Sequence, residues 1–186
     1  MVTATEKNSA AAWFIALRMV VYTVSFLAFV LGLLPWAFHR LGVAVGAQGA
    51  ASAAFAAVGP VSAVAGAVLF AVGLLAYLGC SVWLAAVGRG PFVEFDPPRQ
   101  FVASGPYRWT RNPVAAALLL TVLGEGLFFG SAGVLTLFLL GLPLAHLQVT
   151  RIEEPRLARR FGATYEEYCR NVPRWRPRRP SNADGG

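Results

Sequence analysis

Apolar residues run almost unbroken from Ala11 to about Pro35, interrupted by a single charge, Arg18. That length exceeds what a globular core helix needs and reaches the about 20 residues that cross a bilayer. Arg18 lies near the entry end, where its stem can snorkel to the interface. The run is too long for a signal-peptide core and has no clear small-residue cleavage site, so it reads as a retained first span behind a frayed polar segment, 1–10. Residues 36–57 carry His39 and Arg40 and then a Gly/Ala/Ser-rich tract too weakly hydrophobic for a span. A loop or short surface helix is expected there.

A second span is expected from Gly59 to about Gly88. Within it Gly66, Gly73 and Cys80 recur every seven residues, a small-residue stripe suited to close helix packing. Residues 88–112 break the pattern with Pro91, Pro97, Pro98 and Pro106 and read as a connector. Pro113 suits the first turn of a helix, with Asn112 as its N-cap. A third span to about Phe129, a tight turn at Gly130–Ser131 and a fourth span to about Thr150 follow. Beyond Glu153 the pattern turns amphipathic: Glu154, Leu157, Phe161, Tyr165 and Tyr168 are spaced by three and four and share one helical face. Pro155 suits a break or restart, and the arginine- and proline-rich chain after Pro173 is expected to be disordered.

The pattern therefore predicts an all-α, polytopic membrane helix bundle with about four transmembrane helices and a cytosolic amphipathic C-terminal helix. Residues 1–87 would hold the first two spans, 88–177 a core of connector, hairpin and C-terminal helix, and 178–186 a disordered tail.

Composition agrees with a membrane protein and excludes an ordinary soluble domain: 56% of the 186 residues are hydrophobic and only 13% are charged. The net charge of +7 is unevenly placed, with nine arginines after residue 150 and four more (Arg89, Arg99, Arg108, Arg111) between residues 88 and 112. Positive charge beside apolar spans sets orientation and meets anionic headgroups, so it points to a membrane and not to nucleic acid. It puts the connector and both termini on the cytoplasmic side. Cys80 and Cys169 are expected at different depths, which disfavours a disulfide. With no CxxC pair and with His39 and His146 far apart, no metal-ligand spacing is present.

Two motifs carry the candidate chemistry. One is the basic, aromatic stretch Gly105–Pro113; the other is the acidic pair Glu153–Glu154. The apolar segments between them form a hairpin, which returns both motifs to one side of the bilayer. Dinucleotide, P-loop and Ser/His/Asp signatures are missing from the sequence. What remains suits a polar, zwitterionic small molecule: carboxylates accept from hydroxyls or an ammonium, and arginine clamps a carboxylate or phosphate. Tyr107, Trp109, Tyr165 and Tyr168 could pack on an adenine or a cationic centre. A purely structural account, in which the basic loop and acidic pair stabilise the bundle, explains the same residues equally well. Glu125, inside the third span, falls about 18 Å from Pro113 by helical rise and reads as interfacial or as bonded to a neighbouring helix.

The order of the motifs adds to this. Gly-Pro-Tyr-Arg-x-x-Arg-Asn-Pro, a hydrophobic hairpin, Glu-Glu-Pro-x-Leu-x-x-x-Phe-Gly-x-x-Tyr-x-x-Tyr-Cys and a Val-Pro-Arg-Trp-x-Pro ending together resemble the isoprenylcysteine carboxyl methyltransferase-like family, relatives of the phospholipid N-methyltransferases. The resemblance covers about residues 88–177. It implies S-adenosylmethionine bound on the cytoplasmic side and a lipophilic small-molecule or lipid acceptor entering from the bilayer. Arg111, Asn112 and Pro113 match the family's Arg-His-Pro-type motif, Glu153 and Glu154 its acidic pair, and Tyr107 and Tyr165 its flanking aromatic positions; all seven are thereby candidates for holding the cofactor. Asn112 replaces the familiar histidine and cannot titrate, and Ala115 stands where the family usually has tyrosine. A carboxylate acceptor needs only orientation, for which Arg108 or Arg111 is the candidate catalytic residue; this favours O- over N-methylation. Phosphatidylethanolamine N-methylation and a non-catalytic protein with a degenerate site are the alternatives.

Overall fold

The apolar runs are helices in the computed structural model, which describes residues 4–89 and 100–178. Pro91, Glu94, Asp96, Pro97, Pro98 and Arg99 of the connector, and the tail from 179 on, lie outside the described residues. Among the described residues the chain is all-helical, without strands. Three apolar lengths are long enough to cross a membrane, Val20–Ala44, Val58–Gly88 and Ala132–Phe161, and a shorter apolar helix spans Pro113–Phe128.

The first span does not stop near Pro35 as expected. Helix α1 (Ala4–Ala28) passes through a π-helical turn, Phe29–Leu33, into α2 (Leu34–Ala44), and Pro35 is the second residue of α2. Proline inside a helix removes one hydrogen bond and its ring clashes with the preceding turn. The π-turn widens the backbone just upstream, with Leu34 N–H reaching back five residues to Phe29 C=O, so the helix continues. The same arrangement recurs at the other end of the chain. Helix α5 (Ala132–Gln148) runs through a π-turn, Val149–Glu153, into α6 (Glu154–Phe161), whose second residue is Pro155. The expected break after the acidic pair is therefore a widened turn, and the apolar length continues to Phe161. The true break comes one residue later at Gly162 (φ +52°), before α7 (Ala163–Asn171).

Helix α3 (Ala47–Gly88) starts after Gly46 (φ 74°) and is kinked at Gly59 (φ 27°, ψ −113°), immediately before Pro60. The weakly hydrophobic tract ahead of the kink is thus helical. Its role is to clamp the turn between α4 (Pro113–Phe128) and α5. Gln48 Nε2 donates to Gly130 C=O at 2.9 Å, and its Oε1 accepts from Ala132 N–H at 3.1 Å. From α2, His39 Nδ1 pairs with Ser131 Oγ at 2.9 Å, and that oxygen also caps α5 by accepting from Val134 N–H. Glu125 is buried one turn before the end of α4, and its Oε2 has no hydrogen-bond partner among the described residues.

The small-residue stripe does what its spacing suggests. At Gly66 an added Cβ would lie 2.7 Å from Gly124 O and 2.8 Å from Phe128 Cα, and at Gly73 it would meet Thr121 Oγ1 at 2.6 Å and Thr121 N at 2.7 Å. Backbones of α3 and α4 therefore touch, and Gly124 repeats the contact from the other side. Helices α2 and α5 cross in the same way at Gly42 and Gly133. Val61, Val64, Val68, Val72 and Leu75 face outward, as a lipid-facing surface requires. Gly66→Ala or Gly124→Ala should lower thermal stability in detergent by about 1–3 kcal/mol through overpacking. Gly79→Ala, where an added Cβ meets nothing within 4 Å, should leave the melting temperature unchanged or raise it.

Candidate functional site

The connector re-enters the described chain at Gln100, whose N–H donates to Gly88 C=O at 3.0 Å. Phe101 then inserts between the last two helices, with ring centroids 5.2 Å from Phe161, 5.8 Å from Tyr165 and 5.1 Å from Tyr168. Leu157, Phe161, Tyr165 and Tyr168 form one face around it, as their spacing implies, although Gly162 divides the helix that carries them. Gly105 explains the start of its motif. Its φ is +59°, and an added Cβ would collide with the Trp83 indole, 2.6 Å from Nε1. A 3-10 turn, Gly105–Arg108, follows and buries Tyr107, whose carbonyl accepts from Tyr168 Oη at 2.7 Å.

Asn112 stands at the N-cap position of α4 and is buried, but its side chain does not cap. Its Nδ2 donates to Arg174 C=O at 3.1 Å, beside Thr110 Oγ1 at 2.9 Å. The tail supplies the matching acceptors. Arg111 N–H donates to Pro173 C=O at 2.9 Å, and Arg178 N–H donates to Trp109 C=O at 3.0 Å. Trp175 Nε1 reaches His146 Nδ1 at 3.2 Å. Residues 173–178 are therefore an ordered strap over Trp109–Asn112, in contrast with the disorder expected after Pro173. Buried backbone polar groups need partners, and loop and tail satisfy each other's.

At the centre is the Glu154 carboxylate. Arg174 grips it with both arms, Nε to Oε1 at 2.8 Å and Nη2 to Oε2 at 2.7 Å, and Arg111 Nη1 lies 2.9 Å from Oε1. Arg111 Nη1 is also 2.9 Å from Cys169 Sγ, while its buried Nε has no partner among the described residues. The structure thus brings together Tyr107, Arg111, Asn112, Pro113, Glu154 and Tyr165. Glu153 is exposed on the π-turn and lies close enough to Tyr107 for its charge to be felt there. Arg108 is exposed at the end of the 3-10 turn and does not join the cluster. Ala115 is half-buried in the first turn of α4.

Beside the carboxylate is an open surface cleft of about 490 Å³, within the about 300–1,000 Å³ usual for small-ligand sites. Thr150, Glu154, Tyr165, Cys169 and Arg170 are among its lining residues. It thus offers an acceptor, an aromatic face, a hydroxyl, a thiol and a guanidinium. Cys169, Phe101, Thr110 and Arg174 were not among the candidate site residues, although Cys169 and Arg174 stand in the quoted Tyr-x-x-Tyr-Cys and Val-Pro-Arg-Trp motifs.

Burial is the main reason the Tyr107, Tyr165 and Tyr168 hydroxyls are held well above the ordinary tyrosine range. Cys80 and Glu153 add to it at Tyr107 and Cys169 adds at Tyr165, whereas the Arg111 charge opposes it at Tyr168. Arg174 is held further into its charged form, chiefly by its hydrogen bonds to Glu154.

The fold and this cluster define a membrane helix bundle whose two polar motifs meet at one end. A model of the phospholipid methyltransferase family matches residues 61–164, and the chain belongs to that family. Over 107 residues it is 35% identical to the cobalt-zinc-cadmium resistance protein CzcN of Cupriavidus metallidurans. The alignment takes in 56% of this chain and 48% of that protein, so the chain spans about half the length of the relative. No solved structure matches.

Two measurements probe this geometry. Above about pH 10 the unfolded chain ionises its tyrosines while the folded chain keeps these three neutral, so stability should fall as pH rises. Tyrosinate absorbance at about pH 11 should show them un-ionised until the protein unfolds. Tyr168→Phe leaves the Tyr107 carbonyl without its donor and should cost about 1–3 kcal/mol, read as faster amide exchange across residues 100–112.

Proposed function

We propose that this protein is an integral membrane methyltransferase that uses S-adenosylmethionine and methylates a lipophilic acceptor reached from the bilayer, with a carboxylate oxygen as the receiving atom. The observation that supports this reading is that Glu154 and Tyr165 line one ligand-sized cavity while Arg111 is ion-paired to Glu154. The chemistry of that set fits the donor. Glu154 suits its hydroxyls or ammonium, Tyr165 its adenine or sulfonium, and Arg170 its carboxylate. When bound, the donor supplies an electrophilic methyl group on a sulfonium.

The protein's share is positioning. Arg111 is the residue we assign to the acceptor. Its Nε is a buried donor with no partner among the described residues, a state that costs about 1–3 kcal/mol unless an oxyanion fills it. Arg108 is too exposed to share that role directly, and we assign it to the membrane surface. An amine acceptor would need a base, and the Glu154 oxygens already accept two charged hydrogen bonds from Arg174 and form an ion pair with Arg111. Phosphatidylethanolamine N-methylation is thereby the second reading, kept because of the family to which the chain belongs. Glu153, Asn112, Pro113 and Tyr107 act in support, framing the loop. We place this end of the bundle on the cytoplasmic face because the arginines concentrate there.

Calorimetry of the detergent-purified protein should detect S-adenosylmethionine and S-adenosylhomocysteine, with binding lost in Glu154→Gln and weakened in Tyr165→Ala. Labelled donor in membranes should give base-labile methyl esters and not base-stable methylamines. Loss of Arg111 should remove transfer while donor binding falls less. Equal donor binding by wild type and Glu154→Gln would place the donor elsewhere.

A further inference from the structure

Glu154 is asked to do two things at once. A carboxylate offers about four acceptor positions, and Arg174 Nε and Nη2 fill two of them, one on each oxygen, at 2.8 and 2.7 Å. Arg111 adds an ion-pair contact, Nη1 lying 2.9 Å from Oε1, while its Nη1 hydrogen bond goes to Cys169 Sγ. A donor whose paired hydroxyls or ammonium are to be read by this carboxylate meets Arg174 on both oxygens.

Arg111 and Arg174 differ in their freedom to leave. The Arg111 side chain is 13% exposed and is also tied to Cys169, so it is built into the cluster. The Arg174 side chain is 32% exposed. Its backbone is pinned independently of its guanidinium: its carbonyl accepts from Thr110 and Asn112, the Pro173 carbonyl accepts from Arg111 N–H, and Arg178 N–H donates to Trp109 C=O. The strap can therefore stay in place while the side chain swings out to solvent. Bidentate pairing makes the closed position favourable, and partial exposure keeps it weak enough to break.

We infer that Arg174 is an internal competitor for the donor, a side-chain latch on a fixed strap that occupies Glu154 until the donor displaces it. This rests on the proposed donor site and concerns how that site is regulated. Closed, the latch satisfies both Glu154 oxygens; opened, it leaves Arg111 to balance the carboxylate charge and hands the freed positions to the ligand. The donor's affinity is then set partly by the guanidinium it must displace, a cost that can be removed without touching any group that contacts the donor.

The test is donor binding by Arg174→Ala and by the length-matched Arg174→Met. Both should bind S-adenosylhomocysteine about five-fold tighter than wild type, as expected for release from a partly exposed ion pair, with the melting temperature of the ligand-free protein slightly lowered. Arg174→Lys, which keeps the charge but not the two-armed grip, should fall between. Wild-type binding with unchanged or weaker binding by both variants would overturn the latch and leave the donor site standing. Absence of binding in every protein, wild type included, would overturn both. Should the variants fail to fold, the wild type decides alone: saturating S-adenosylhomocysteine must speed exchange of the Arg174 Nε–H, and slower or unchanged exchange refutes the latch.

Discussion

Backbone contact between α3 and α4 is the constraint on which the molecule depends. In a bilayer the lipid tails are as apolar as the helix surfaces, so burial of valine and leucine gives the bundle little reason to associate. Closeness has to come from small residues. Gly66 against Gly124 and Gly73 against Thr121 let the two axes approach until main-chain atoms touch. That contact sets the height and direction of α4, hence the position of Asn112 and Pro113 at its start. From there the loop at Thr110–Asn112 is placed where the tail can reach it.

The polar end is closed by a different force. The loop, the α5–α6 junction and the strap have little apolar surface in common, and they are joined by hydrogen bonds and by one carboxylate between two guanidiniums. Phe101 fills what would otherwise be an aromatic face open to water, so the apolar part of this end lies between α6 and α7 and the ionic part beside it. The cavity borders both.

Much of this was legible in the sequence. The stripe at Gly66 and Gly73, the turn at Gly130–Ser131 and the face from Leu157 to Tyr168 each depend on local spacing, which periodicity reads directly. The meeting of Arg111 with Glu154 followed from hairpin topology. Continuation of the helices through Pro35 and Pro155 was not legible, because proline's local preference is to end a helix and a widened upstream turn leaves no mark in composition. Nor was the strap: an arginine- and proline-rich ending is what a solvated tail looks like, and its partners lie some 60 residues away. The two roles of the tract at His39 and Gln48 were hidden for the same reason, since each is a single side chain with a distant partner.

The π-turn at Val149–Glu153 has a further geometric effect. Each α-helical residue advances about 100° around the axis, so the residue gained in a widened turn carries everything after it around the helix by about that amount. The lipid-facing side of α5 and the core-facing side of α6 are thus out of phase along a single continuous rod. The turn acts as a gear tooth: it lets one helix present an apolar flank to the bilayer over its first half and a carboxylate inward over its second. Tightening that turn to ordinary α-helical pitch with the sequence unchanged would rotate Glu154 by about 100° and point it away from Arg111. The register of this rod, and not its composition alone, delivers the carboxylate to the cluster.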